Sequence, residues 1–304
     1  MISTEDLLWT DEMRDASRRV SLGESLFITG RAGTGKSTLL ELMRSNGLPA
    51  NTIVVAPTGV AAQLVGGMTI HRAFGIKPNT TLEAIETRDW GAGRLESLES
   101  LQCLVIDEVS MVRADLLDKV DAILRRFGPV RYQPFGGVQL VAIGDLRQLP
   151  PVLKDAEKAY FERMYPSPYF IDANLLREIE LSPITLTKTF RQDSEGFIAA
   201  LNGFRDGRPS PRHLTLLNGR VRSGTRRSQG IRLVPTRSQA RRVNAMELGR
   251  LRATPQSSRA LITGQVPVED RPTEDVLEYA VGARVMMVNN DVLGRWVNGT
   301  MATV

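Results

Sequence analysis

Gly30-Arg31-Ala32-Gly33-Thr34-Gly35-Lys36-Ser37-Thr38 is the stretch from which the fold can be read. It fits G-x-x-x-x-G-K-[ST], a phosphate-binding loop, at Gly30, Gly35, Lys36 and Ser37. The apolar run from Ser25 to Thr29 reads as a buried strand, and Thr38 to Arg44 reads as a helix. Strand, glycine loop and helix together are the context this motif requires. Such a loop wraps a polyphosphate with successive backbone N–H groups pointing inward, and side chains at its bends would block the approach. The helix N-terminus adds partial positive charge where the phosphates sit. Lys36 is placed to reach the β- and γ-phosphates and Ser37 to hold a magnesium ion. The plain alternative is a glycine turn that joins strand to helix and binds nothing.

Further along, Thr52 to Ala56 is a second buried strand, running into Pro57-Thr58-Gly59 and the start of a helix. Thr58 and the free N–H groups after it can bind a second phosphate, away from the nucleotide. In Gly66 to Phe74, Thr69 and His71 offer polar contacts and Phe74 a base-stacking face, with ordinary packing as the competing reading for His71 and Phe74. Ile76 to Ser100 is looser and more polar, broken by Pro78 and Gly91, and reads as a small insertion. Its Trp90 either meets nucleic acid or caps the insertion.

Cys103 to Ile106 is a third buried strand, and it ends in Asp107-Glu108. Asp107 at the carboxyl end of a parallel strand can hold magnesium through its waters. Glu108 then stands where it can orient or deprotonate an attacking water. The apolar residues of Ala114 to Phe127 recur at helical spacing and form a core stripe. Val138 to Ile143 is a fourth buried strand, followed by Gly144 to Pro151, where Gln148 can sense a γ-phosphate. Ile184 to Thr189 is a further strand candidate, followed by Phe190-Arg191-Gln192. Arg191 is either an arginine that neutralises a transferred phosphoryl group or half of a surface ion pair. Ile231 to Thr236 repeats the pattern of apolar strand, Pro-Thr and helix seen at Val55 to Ala62, the helix running from about Gln239 to Arg252.

The chain has 304 residues, 42% of them hydrophobic and 24% charged, which suits one large globular domain or two medium ones. No apolar run approaches a membrane span and no signal peptide opens the chain. The one cysteine, Cys103, lies in an apolar stretch, which excludes a disulfide framework and points to a reducing, intracellular compartment. Between Arg191 and Arg259 there are fifteen arginines against four acidic residues, within a net charge of +5. That imbalance suggests a polyanionic partner.

Taken in order, G-R-A-G-T-G-K-S, A-P-T-G-V-A-A with G-M-T-I-H, V-I-D-E-V-S-M, P-F-G-G-V-Q-L-V-A-I-G-D-L-R-Q-L-P-P-V, F-R-Q and V-P-T-R resemble the petite-integration-frequency helicases. These form part of the 5′-to-3′ branch of superfamily 1, with RecD-type enzymes as relatives. The resemblance runs from about Leu26 to the end of the chain, and is most specific over Asp107–Met111 and Gly136–Val152. It implies an α/β P-loop fold: a RecA-like parallel sheet flanked by helices over residues 1–181, and a second, incomplete RecA-like lobe over 182–304. It assigns Lys36 and Ser37 to phosphate and Mg2+, Asp107 and Glu108 to Mg2+ and water, Gln148 to coupling and Arg191 to the γ-phosphate. Pro57, Thr58, Gly59, Thr69, His71 and Thr236 go to the DNA track, and residues 76–100 to a small wedge that meets the duplex junction.

Two departures stand out. No glutamine precedes Gln63, where the family usually has one near the N-terminus that reads adenine. The stretch Gly282–Val304 looks like the lead into an SH3-like insertion, after which the family's later motifs would follow; a fragment or a truncated gene product is expected. The leading expectation is a monomeric ATP-dependent DNA helicase that moves 5′ to 3′, with ATP and Mg2+ as cofactors and single-stranded DNA and DNA junctions as partners. The alternatives are an ATP-gated single-strand-binding module without unwinding, and a P-loop kinase acting on a small molecule.

Overall fold

The computed structural model describes residues 9–77, 80–87, 92–190, 194–221, 231–263, 273–289, 291, 293, 295–296 and 299–304. The chain divides into two compact units, Met1–Arg222 and Ser223–Val304.

The first unit is built on six strands: β1 (Leu26–Gly30), β2 (Thr52–Ala56), β3 (Met68–Thr69), β4 (Cys103–Ile106), β5 (Gln139–Gly144) and β6 (Ser182–Leu186). Their order across the sheet is β3-β2-β4-β5-β1-β6, and each neighbouring pair is parallel. Parallel strands need crossovers, and helices fill them: α2 (Lys36–Asn46), α3 (Gly59–Leu64), α4 (Ile70–Phe74), α5 (Leu82–Thr87), α6 (Ala92–Glu99), α7 (Ala114–Phe127) and α8 (Asp155–Met164), while α1 (Asp11–Ser21) precedes β1 and α9 (Glu195–Arg205) and α10 (Pro211–Asn218) follow β6.

β4 and β5 are buried at every position, so they carry no alternation of polar and apolar residues. Their side chains still alternate between faces. Leu104, Ile106, Leu140 and Ala142 enter a core with α7, while Cys103, Val105, Val141 and Ile143 enter a second core with α1 and α2. The stripe expected on α7 is found there: Leu116, Leu117, Val120, Ile123 and Leu124 are all buried. Two acids share that buried face. Asp118 accepts hydrogen bonds from the Tyr165 hydroxyl and the Leu175 amide, and Asp121 from the Phe135 amide at 2.7 Å, so neither carboxylate is left bare. Burial of Cys103 pushes its thiol up to about 12, which makes it an inert core residue.

Two sequence expectations change. The boundary at 181/182 does not match the contacts, because β6 pairs along its whole length with β1 and the first unit continues to Arg222. Residues 76–100 are not set apart from the main core: Ile76, Ile85 and Leu98 are buried in the same cluster as α7. Trp90 lies outside the described residues.

The second unit, taken by itself, holds α11 (Arg237–Leu248) and two antiparallel pairs, β7 (Gln256–Arg259) with β8 (Val276–Tyr279) and β9 (Arg284–Met286) with β10 (Met301–Thr303). Ile231–Thr236, expected as a strand, joins no sheet. Its Ile231 and Leu233 are exposed, and a strand exists only where a neighbour accepts its backbone hydrogen bonds. Among the described residues this unit has no parallel sheet.

Candidate nucleotide site and nucleic-acid edge

Every strand of the main sheet points its carboxyl end the same way, so the loops that follow the strands collect along one edge. At that edge the glycine loop follows β1, Asp107-Glu108 follows β4 and Asp145–Gln148 follows β5. β5 lies between β1 and β4, so Lys36 and Asp107 are rooted two strand spacings apart, roughly 10 Å at the usual ~4.8 Å per strand.

The loop is preformed. Thr34 is fully buried and its hydroxyl donates to the Arg31 carbonyl at 2.9 Å, closing the loop on itself. Gly30 leaves no room for a side chain: a Cβ there would stand 2.6 Å from Thr34 Oγ1 and 2.8 Å from the Leu186 carbonyl. Gly35 caps α2 with φ of 85°, a conformation costly for any other residue. The Phe190 N–H donates to the Gly33 carbonyl at 2.8 Å, tying the segment after β6 to the loop. Ser37 and Thr38 form the first turn of α2.

Lys36 Nζ donates to the carbonyls of Gly30 at 2.8 Å and Arg31 at 3.2 Å, so the ammonium is folded over its own loop. Burial lowers its pKa, and the charges of Asp145, Glu108 and Asp107 oppose that shift. Three carboxylates therefore act on one lysine through their charge. Asp107 is buried, and burial raises its pKa, with the Glu108 charge adding to the effect and Lys36 opposing it. Glu108 has φ of 50° and ψ of 41°, a left-handed backbone that turns the chain sharply away from β4. Among the described residues no group of three or more His, Cys, Asp or Glu is arranged to cage a metal. A magnesium ion bound mainly by phosphate oxygens needs only a carboxylate and a hydroxyl from the protein, and Asp107 and Ser37 fit that donor set.

A second charge cluster has no local signature in the sequence. Arg205, the last residue of α9, holds both oxygens of Asp145, through Nη2 at 2.7 Å and Nε at 3.0 Å. Burial raises the Asp145 pKa, but the Arg205 hydrogen bonds and charge, the Arg147 N–H and Lys36 outweigh it and leave the carboxyl below its usual value. The adjacent Asp206 meets Arg147 at 2.7 Å, Arg205 at 3.3 Å and Arg31 at 3.7 Å. The sixty-residue separation between Asp145 and Arg205 left no local pattern to find. Gln148 is exposed on the loop that Asp145 anchors. Arg191 lies outside the described residues.

The other end of the same edge carries Thr58 and Thr69, two of the residues expected to meet nucleic acid. Thr58 caps α3, its hydroxyl accepting from the Ala61 N–H at 3.2 Å. Thr69 caps α4 in the same way, accepting from Arg72 N–H at 3.2 Å. In the second unit Thr236 caps α11, accepting from Gln239 N–H at 3.3 Å. A capping hydroxyl uses its oxygen and keeps its own proton to donate, so each threonine can still bond a phosphate. Pro57 and Gly59 flank Thr58 and are half-buried. His71 is half-buried; burial and the Lys119 charge lower its pKa against the pull of Asp115, so the ring is neutral at pH 7.

Phe74 corrects the sequence reading. Its ring is fully buried in the main core, and a ring with no exposed face cannot stack on a base. The apolar residues Ile70, Phe74 and Ile76 line one side of α4 and its exit, so packing decides this position.

A sequence model of the PIF1-like helicase matches residues 9–212, two thirds of the chain and every site residue just described except Thr236. The chain belongs to the PIF1-like helicase family. Human ATP-dependent DNA helicase PIF1 is 33% identical over 309 residues, which cover 97% of this chain and 46% of the human protein. The chain thus spans about half the length of that relative. Bacteroides Pif1 bound to ssDNA superposes with a TM-score of 0.85 at 34% identity, covering 98% of this chain and 69% of that one. Bacteroides Pif1 in complex with ADP-AlF3 and ssDNA gives a TM-score of 0.81 at 33% identity, covering 97% and 69%. The parallel sheet with its P-loop is accordingly the RecA-like core of this family. No described helix is long and apolar enough to cross a membrane.

Proposed function

We propose that this chain is a DNA helicase motor that couples ATP hydrolysis to 5′-to-3′ movement on single-stranded DNA. One observation carries the reading: the P-loop with Lys36, Asp107-Glu108 and Asp145 follow strands of one parallel sheet and share the edge that presents Thr58 and Thr69. Reaction site and strand track are then neighbours on one rigid sheet, β2 lying three strands from β1, roughly 14 Å. Relatives described as ATP-dependent DNA helicases, and one held with ssDNA, support it.

In this reading Lys36 leaves the Gly30 and Arg31 carbonyls for the β- and γ-phosphates, and loop N–H groups take the remaining oxygens. Ser37 and Asp107 would hold a magnesium ion, which would supply charge neutralisation at the transferred phosphoryl group. Glu108 accepts the proton of the attacking water, Gln148 reports on the γ-phosphate, and Arg191 supplies positive charge. Thr58, Thr69 and Thr236 donate to backbone phosphates, with Pro57, Gly59 and neutral His71 shaping the track. Such contacts carry no base code, so binding is sequence-tolerant and weakens with salt.

ATPase activity of the 304-residue chain, measured with and without a single-stranded oligonucleotide at low salt, tests the motor. Stimulation supports it, and no response removes it. The second reading is an ATP-gated strand-binding module without unwinding, favoured by the absence of a parallel sheet among the described residues of the second unit. Unwinding of a 5′-tailed duplex separates the two.

A further inference from the structure

Asp206 joins two elements of the nucleotide site that the backbone keeps separate. Its Oδ2 lies 3.7 Å from Nη2 of Arg31 in the P-loop, and its Oδ1 lies 2.7 Å from Nη1 of Arg147 on the Gln148 loop. These contacts differ in strength. The Arg147 pair is a short charge-assisted hydrogen bond, whereas the Arg31 pair is longer and its guanidinium half-exposed, and such a pair is worth little. Arg31 also sits beside the phosphate seat, since its carbonyl accepts from Lys36 Nζ at 3.2 Å. An incoming polyphosphate offers that guanidinium several anionic oxygens in place of one distant carboxylate oxygen.

We propose that Asp206 is an internal counter-ion that Arg31 exchanges for the nucleotide's phosphates, so that nucleotide binding transfers Asp206 wholly to Arg147 and Arg205 and tightens the loop carrying Gln148. Asp206 is a positioning residue in this scheme, since it touches no substrate. The inference rests on the P-loop reading. It adds that the P-loop carries its own competitor for the phosphates, and that the competitor's release is the signal passed to the adjacent loop. Arg205 keeps its grip on Asp145 throughout and holds the end of α9 in place.

The test is the affinity of the 304-residue chain for fluorescently labelled ADP, with Mg2+, at several salt concentrations. Asp206→Asn frees Arg31 and tightens binding by roughly two- to fivefold, the worth of one exposed ion pair. It also steepens the salt dependence. Asp206→Glu, which keeps the charge, returns both to wild-type values. Arg31→Ala weakens binding, and adding Asp206→Asn to it changes nothing further. Unchanged or weaker binding by Asp206→Asn overturns the proposal, as does equal tightening in the Arg31→Ala background. If wild-type protein binds no ADP, or Lys36→Ala binds as well as wild type, the P-loop reading itself fails and takes this inference with it. Failure confined to the Asp206 variants leaves the P-loop reading standing.

Discussion

Arg205 grips Asp145 with two hydrogen bonds of 2.7 and 3.0 Å, and the carboxylate it holds is almost wholly shielded from solvent. Removing one member of a shielded pair leaves the other charge uncompensated. Asp145→Asn is expected to lower stability by about 2–3 kcal/mol at pH 7, read as a shift in the urea midpoint. The Asp145 carboxyl titrates below its usual 3.8 when folded, so the unfolded state binds the proton more readily. The wild-type advantage is therefore complete above that value and is lost as pH falls through the folded pKa. Urea titrations of both proteins from neutral to strongly acidic pH should show the gap closing only at the acid end.

Lys36→Ala removes the ammonium but none of the contacts of Thr58 or Thr69. A charge-assisted contact to phosphate is worth about 1.5–3 kcal/mol, so affinity for labelled ADP should fall by at least about tenfold. A gel shift with a single-stranded oligonucleotide should stay within about twofold of wild type. Equal loss of both would mean that one surface binds both ligands.

Thr58 caps α3, and the proposed function gives its hydroxyl a second, separable job, offering a proton to phosphate. Thr58→Asp keeps a good cap and replaces the donor by a negative charge. Thermal stability should stay within about 0.5 kcal/mol of wild type while oligonucleotide affinity falls by about tenfold or more. The same substitution at Thr69 should behave alike. An unaltered gel shift would take both residues off the DNA track.

Phe74→Ala tests the corrected assignment. The ring is fully buried, and truncation of such a phenylalanine costs about 3–5 kcal/mol. Denaturation should register the whole effect. Oligonucleotide affinity per folded molecule, measured well below the melting transition, should not change; a selective loss of affinity would restore Phe74 to the strand-binding set.

The resemblance named Asp107 to Met111 and Gly136 to Val152 as the most specific stretches, and the structure divides the second between opposite ends of one strand. Phe135 and Gly136 pack behind α7 at the amino end of β5, where the Phe135 N–H meets Asp121. Asp145 to Gln148 leave the carboxyl end and enter the site. A continuous motif thus serves packing at one pole and reaches the nucleotide-site edge at the other, roughly 20 Å away for six residues of strand.

What the sequence by itself determined were the features encoded locally. The glycine loop, the acids ending β4, the core stripe of α7 and the Pro-Thr caps before α3 and α11 each depend on residues a few positions apart. Backbone geometry and short-range periodicity suffice to read them. Only the tertiary structure decided the rest. It placed β6 in the first sheet, buried Phe74, left Ile231 and Leu233 exposed, and brought Arg205 and Asp206 to Asp145 and Arg31. These outcomes turn on which neighbour a strand finds and which charges meet across long separations. Hydrogen-bond partners and low-dielectric ion pairs are set by the packed whole, and no window of sequence contains them.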